Sequence, residues 1–298
     1  MATTEVEAQA PDRGITDVDV PDRPARQTGR GPLRGLRGLV AAELRRWFPV
    51  RAFALAALGS AAVVIVYVIW SSGANAANPR LGSYIYGAFG VWTVLLLLAT
   101  VATTQGAMAD EIEAGTAAWV IAKPVGRPAF VLSKFLAAVP GVLLGAIVVP
   151  GFVLRILIVA AEGHGDTDFS ASDVFGLIQE GGSEEFMTLP PIERHLGVLT
   201  LLLVVLLFIV AVMILVGCAV RSRAGVFLLG LAVPIGLLVY SIAGPSTIVE
   251  LTPAWAFDAL LTTIRNEAAP VLAPSVVTGA WTVGTVALAT AWFSRMEL

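Results

Sequence analysis

Six apolar segments, at roughly 52–70, 84–105, 129–159, 196–219, 224–243 and 274–293, constrain this chain more than any motif does. Each is close to the length of about 20 residues that a helix rising about 1.5 Å per residue needs to cross a hydrocarbon layer about 30 Å thick. A lipid-exposed segment of this kind must satisfy its own backbone, so each is read as a helix. Composition agrees: 57% of the residues are hydrophobic and only 14% charged, against roughly 25% charged in soluble domains. The expected fold is an all-α integral membrane protein with six transmembrane helices.

The third segment is the longest, and Lys134 and Arg155 stand near its two ends. About 21 residues of helix, roughly 31 Å, separate them, so each charge is expected to reach its own interface. Pro140 and Pro150 predict kinks in this span and Pro234 in the fifth, because proline removes a ladder hydrogen bond. Orientation follows from the cations. With the N-terminus inside, only Arg80, Arg155, Arg194 and Arg265 of the 19 Lys and Arg residues fall outside. The positive-inside rule then places both termini in the cytoplasm of a multi-pass plasma-membrane protein. Residues 1–31 are polar and lack apolar periodicity, which predicts a disordered cytoplasmic tail ahead of a six-span domain over 35–298.

The loop at 162–195 is then external and acidic, carrying Glu162, Asp166, Asp168, Asp173, Glu180, Glu184, Glu185 and Glu193. It is read as a solvated cap in preference to a cation-binding site, the alternative that its carboxylates leave open. His164 and His195 lack metal-ligand spacing, so no metal site is expected. Two amphipathic pieces flank the bundle. In residues 36–48, Leu36, Leu39, Val40, Leu44, Trp47 and Phe48 recur at helical spacing, with Arg37, Glu43, Arg45 and Arg46 elsewhere on the helix. That pattern suits a helix lying in the inner interface with its arginines toward headgroups. The second piece, 252–267, opens with Thr252 as N-cap and Pro253 at the first helical position. It is too short and too charged to span, so it is expected to be a re-entrant or interfacial helix on the outer side.

Between spans two and three lies ADEIEAGTAAWVIAKPVGR, residues 109–127. Asp110, Glu111 and Glu113 follow the second span, Gly115 breaks that helix, and Thr116 is placed to cap a new one. Residues 117–122 make barely two turns carrying Trp119, Val120 and Ile121, with Lys123 at the negative helix end and Pro124 as the stop. Pro128 opens the third span. A helix that short does not stand alone in water. It either packs on its own inner loops and headgroups or meets a protein partner, for which an exposed Trp is a preferred anchor.

The runs E-I-E-A-G-T at 111–116, A-K-P-V-G-R-P at 122–128 and S-K-F at 133–135 resemble the hallmark of type-2 ABC transporter permeases. The ending WFSRMEL, the helix before the first span and the outer helix before the sixth are similar to that family as well. The resemblance implies that Glu111, Glu113, Gly115, Thr116, Trp119 and Ile121 belong to a cytoplasmic coupling helix seated in a groove of an ATP-hydrolysing subunit. It implies that Pro124, Arg127 and Lys134 fix the start of span three. It further implies a homodimer, or a pairing with a second related permease, bound to two ATPase subunits. One departure is the sizeable loop at 162–195, which leaves the substrate subgroup open.

No G-x-x-x-x-G-K-[ST] phosphate loop occurs, and the only lysines are Lys123 and Lys134. The chain is therefore not expected to be an enzyme or to bind a cofactor itself; ATP and Mg would sit on the partner P-loop ATPase. No nucleic-acid partner is expected. The span centres lack ionisable residues, which disfavours a proton- or ion-coupled secondary transporter and suits an apolar or amphipathic cargo. A non-transporting membrane anchor or assembly factor for an ATPase stays open, since the same cytoplasmic segment would serve it.

Overall fold

The computed structural model describes residues 31–73, 81–117, 125–162, 192–220, 222–264 and 269–296, and all regular structure among them is helical. Residues 32–298 make up one compact unit. Helix α1 (Leu36–Trp47) turns through a short π-helical stretch, Phe48–Ala52, into α2 (Phe53–Gly73). Helices α3 (Leu81–Thr104) and α4 (Gly106–Glu113) run on from one another with a break at Gln105. Then come α5 (Arg127–Val142), a π-helical segment (Leu143–Val148) and α6 (Val149–Glu162). The long α7 (Ile192–Ala219) and α8 (Arg223–Ala243) lead to two short helices, α9 (Ser246–Val249) and α10 (Ala254–Ile264), before α11 (Leu272–Arg295).

Five described helical runs are long and apolar enough to cross a membrane: Gly90–Glu113, Arg127–Leu157, His195–Ala219, Arg223–Ala243 and Leu272–Arg295. A sixth is reached only if Leu36–Trp47 and Val50–Ile65, bent by 47° at Phe48–Pro49, count as one broken span. The chain is thus a multi-pass helical membrane protein. Helix α7 is its centre, 67% buried over its most apolar stretch and packed on α3, α5, α8, α10 and α11. Helix α8 is peripheral, 22% buried, and shows Leu228, Leu229, Ile235, Val239 and Ile242 on its outer face. Such a one-sided apolar helix is what a lipid-facing position requires.

The third long run keeps both prolines. Pro140 lies inside α5, and the ladder changes to π-type bonding over Leu143–Val148, just before Pro150. The looser register accommodates the N–H that Pro150 lacks. Small residues let the first helices approach here. A Cβ on Gly145 would lie 2.5 Å from the Ala52 carbonyl oxygen, and one on Gly141 2.5 Å from the Trp47 ring. Helix α1 consequently packs along α5 with Trp47 fully buried, whereas Phe48 is 41% exposed and leaves the expected apolar face.

At the end of the bundle that holds Arg155, the arginine is packed inside the protein: it is 4% exposed, near His195, which is 7% exposed and hydrogen-bonds the Gly151 backbone. One sequence expectation changes at that end. Thr252 does not cap α10 with its side chain: its hydroxyl donates to the Val249 carbonyl at 3.0 Å. Helix α10 spans 11 residues and buries Phe257 and Leu260 against the bundle. Most of the acidic 162–195 loop, and the whole of 1–30, lie outside the described residues.

Candidate functional site

The opposite end of the bundle collects the charges: α1, α4, the start of α5, the turn before α8 and the end of α11 meet there. Helix α4 ends as its sequence dictates. Gly115 takes a left-handed φ of 69°, and its N–H donates to the Ile112 carbonyl at 3.2 Å, while the Ala114 N–H donates to the Asp110 carbonyl at 3.0 Å. Glycine adopts this conformation at no steric cost and so closes helix C-termini. The Thr116 hydroxyl turns back and donates to the Glu111 carbonyl at 3.1 Å. It thus contacts the end of α4, and Thr116 and Ala117 already begin the next helical stretch, whose continuation lies outside the described residues. Glu113, Ala114, Gly115 and Thr116 form an exposed tip.

One turn earlier, the same helix points inward. Glu111 is 8% exposed and Lys134, from α5, is 3% exposed. Lys134 Nζ donates to Glu111 and also, at 2.6 Å, to Glu43 Oε1 of α1. Arg46 Nη1, one helical turn from Glu43, donates to Glu111 Oε1 at 2.7 Å. Two cations and two carboxylates thus close one network across three helices. Lys134 also lies 5.2 Å from the centre of the Phe130 ring, which stacks on Phe293 of α11 at 5.4 Å. Ammonium and carboxylates at this burial are tolerable only because each meets its counter-charge.

Arg127 does something different. Its Nη1 donates to the carbonyls of Ser294 at 2.9 Å and Met296 at 3.0 Å. A guanidinium thus sits on the negative end of α11. Beside it, the Gly126 N–H donates to the Arg34 carbonyl at 3.1 Å. A Cβ on Gly126 would fall 2.0 Å from the Pro32 carbonyl oxygen. The start of α5 is therefore clamped between the strap at 32–35 and the end of α11. On the other side of α4, Asp110 pairs with Arg223. An open cleft of about 480 Å³ lies there, lined by Asp110, Glu113, Ala114, Ser222 and Arg223.

Of the residues singled out in the sequence, Glu111 and Lys134 come together, Arg127 lies apart from them, and Glu113, Gly115 and Thr116 face outward. Trp119, Ile121 and Pro124 lie outside the described residues. Sequence reasoning missed Glu43 and Arg46: it placed both on the polar surface of α1, with the arginine toward headgroups. The Glu43 side chain is only 13% exposed, and Arg46, though 54% exposed, reaches Glu111. Their signal was indirect: a lysine inside an apolar segment needs a counter-charge from some neighbouring helix. Among the described residues, no group of three or more His, Cys, Asp or Glu could hold a metal ion. No family model matches the chain, and no curated protein matches it.

Proposed function

We propose that this chain is the membrane-spanning permease subunit of an ATP-driven ABC transporter, with hydrolysis on a separate P-loop subunit. The observation that carries the reading is the Glu43–Lys134–Glu111–Arg46 network directly behind the exposed tip at 113–116. A force applied to the tip would not dissipate in a loop. It would pass through Glu111 to Lys134 on the longest run of the bundle and to α1, because breaking a buried ionic contact is expensive. The open cleft beside Glu113 gives a partner a polar surface to enter. In this reading the charged end is cytoplasmic, six spans make half of a two-permease unit, and the 109–127 segment is what engages the ATPase subunit. The absence of ionisable residues from span centres suits export of an apolar or amphipathic molecule.

A cross-linking experiment tests the contact. Glu113→Cys in a Cys218→Ala background would carry a photoactivatable thiol reagent in native membranes. The expected adduct contains peptides of a protein with a G-x-x-x-x-G-K-[ST] loop. Adducts confined to lipid, or to a second copy of this chain, would overturn the assignment.

A further inference from the structure

Away from the charged end, a groove of about 420 Å³ opens on the side of the bundle between α3, α8 and α10. Gly90, Thr93 and Leu97 of α3, Pro234 of α8, and Phe257 and Leu260 of α10 are among its walls, and none of its described lining residues is charged. Its rim includes Val94, Leu98 and Ile235, which are 49%, 37% and 52% exposed. Both α3 and α8 contribute to runs long and apolar enough to cross a membrane, so the mouth opens where the surrounding solvent is hydrocarbon. Side-chain packing does not close it. A Cβ on Gly90 would meet nothing within 4 Å.

We propose that this groove holds one acyl chain of a membrane phospholipid as a resident ligand. An extended peptide is a poor occupant, because its backbone groups would find almost no partners on these walls. A charged or polar head is equally unsuited to them. Among the described lining residues the one polar side chain is Thr93, whose buried hydroxyl has no hydrogen-bond partner. An acyl chain makes no use of it, so Thr93→Val should leave binding intact or strengthen it, whereas a polar ligand would lose its anchor. This inference needs only the membrane fold and is independent of any ATPase.

The test uses the full chain, delipidated in mild detergent and returned to dioleoylphosphatidylglycerol, with native mass spectrometry and thermal unfolding as readouts. Wild type and Thr93→Val are expected to retain one lipid per chain and to unfold at higher temperature with lipid than without. Gly90→Trp, or the smaller Gly90→Leu should tryptophan prevent folding, is expected to lose both effects. It should unfold no lower than delipidated wild type, since it fills the groove itself. Gly279→Trp, on α11 where a Cβ also meets nothing within 4 Å, is expected to behave as wild type. Undiminished lipid retention in the Gly90 variants would overturn the proposal. So would loss of retention in Thr93→Val, absence of retained lipid in wild type, or a Gly90→Trp effect confined to dissociating an oligomer.

Discussion

Replacing Lys134 by methionine removes the one cation that contacts both buried carboxylates. Glu111 then keeps only Arg46, whose side chain is 54% exposed, and Glu43 loses the ammonium that held it. Breaking a buried pair from one side costs about 3–5 kcal/mol, and the surviving Arg46 contact argues for the lower end, about 3 kcal/mol. At roughly 2–4 °C per kcal/mol for a domain of this size, the midpoint of thermal unfolding should fall by about 6–12 °C. The more diagnostic quantity is the coupling with Glu111→Gln. Because the double variant no longer buries that unmatched charge, its loss should be smaller than the sum of the single losses by about 1–3 kcal/mol. The assay is a double-mutant cycle on purified protein in detergent, followed by tryptophan fluorescence. Arg223→Gln serves as the reference: that pair is more exposed, at 63% and 20%, and should cost no more than about 1 kcal/mol. Single losses that add to within about 0.5 kcal/mol would refute the network as a mechanical unit.

The same geometry fixes three other outcomes. Gly115→Ala meets no steric obstacle but forces a left-handed alanine, so it should lower stability by about 1–2 kcal/mol, with Gly115→Asn milder, measured by thermal unfolding. Gly126→Ala should be worse than Gly115→Ala in that assay and should free the segment near Arg34 to limited proteolysis, because its Cβ would collide with the Pro32 carbonyl. Arg127→Gln abandons the Ser294 and Met296 carbonyls at a cost of about 1.5–3 kcal/mol. Hydrogen exchange should then rise at the end of α11 and little elsewhere.

What the sequence made legible was whatever depends on local rules. Apolar runs of bilayer length marked the long helices, and Gly115 marked the end of α4 because a left-handed turn asks for glycine. What escaped were choices made in three dimensions. Helical periodicity found an apolar face on residues 36–48, but it could not say that Glu43 would turn toward a lysine 91 positions away. Arg127 was legible as a cation at a helix start, yet its acceptors lie 167 and 169 positions on. The hydroxyl of Thr116 donates to the Glu111 carbonyl and that of Thr252 to the Val249 carbonyl, contacts that cap spacing alone does not foretell. Arg155 was legible as a charge near the end of a span, but not its burial beside His195, which a different helix supplies.

The most direct measurement is affinity purification of the tagged full-length chain from native membranes in mild detergent, with every co-eluting protein identified and quantified by mass spectrometry. A permease subunit should bring down a P-loop ATPase at a one-to-one ratio, and Glu113→Arg should lose it while still inserting and unfolding at the wild-type temperature. Purification of the chain with no ATPase, or with one whose retention ignores the charge at position 113, would contradict that role.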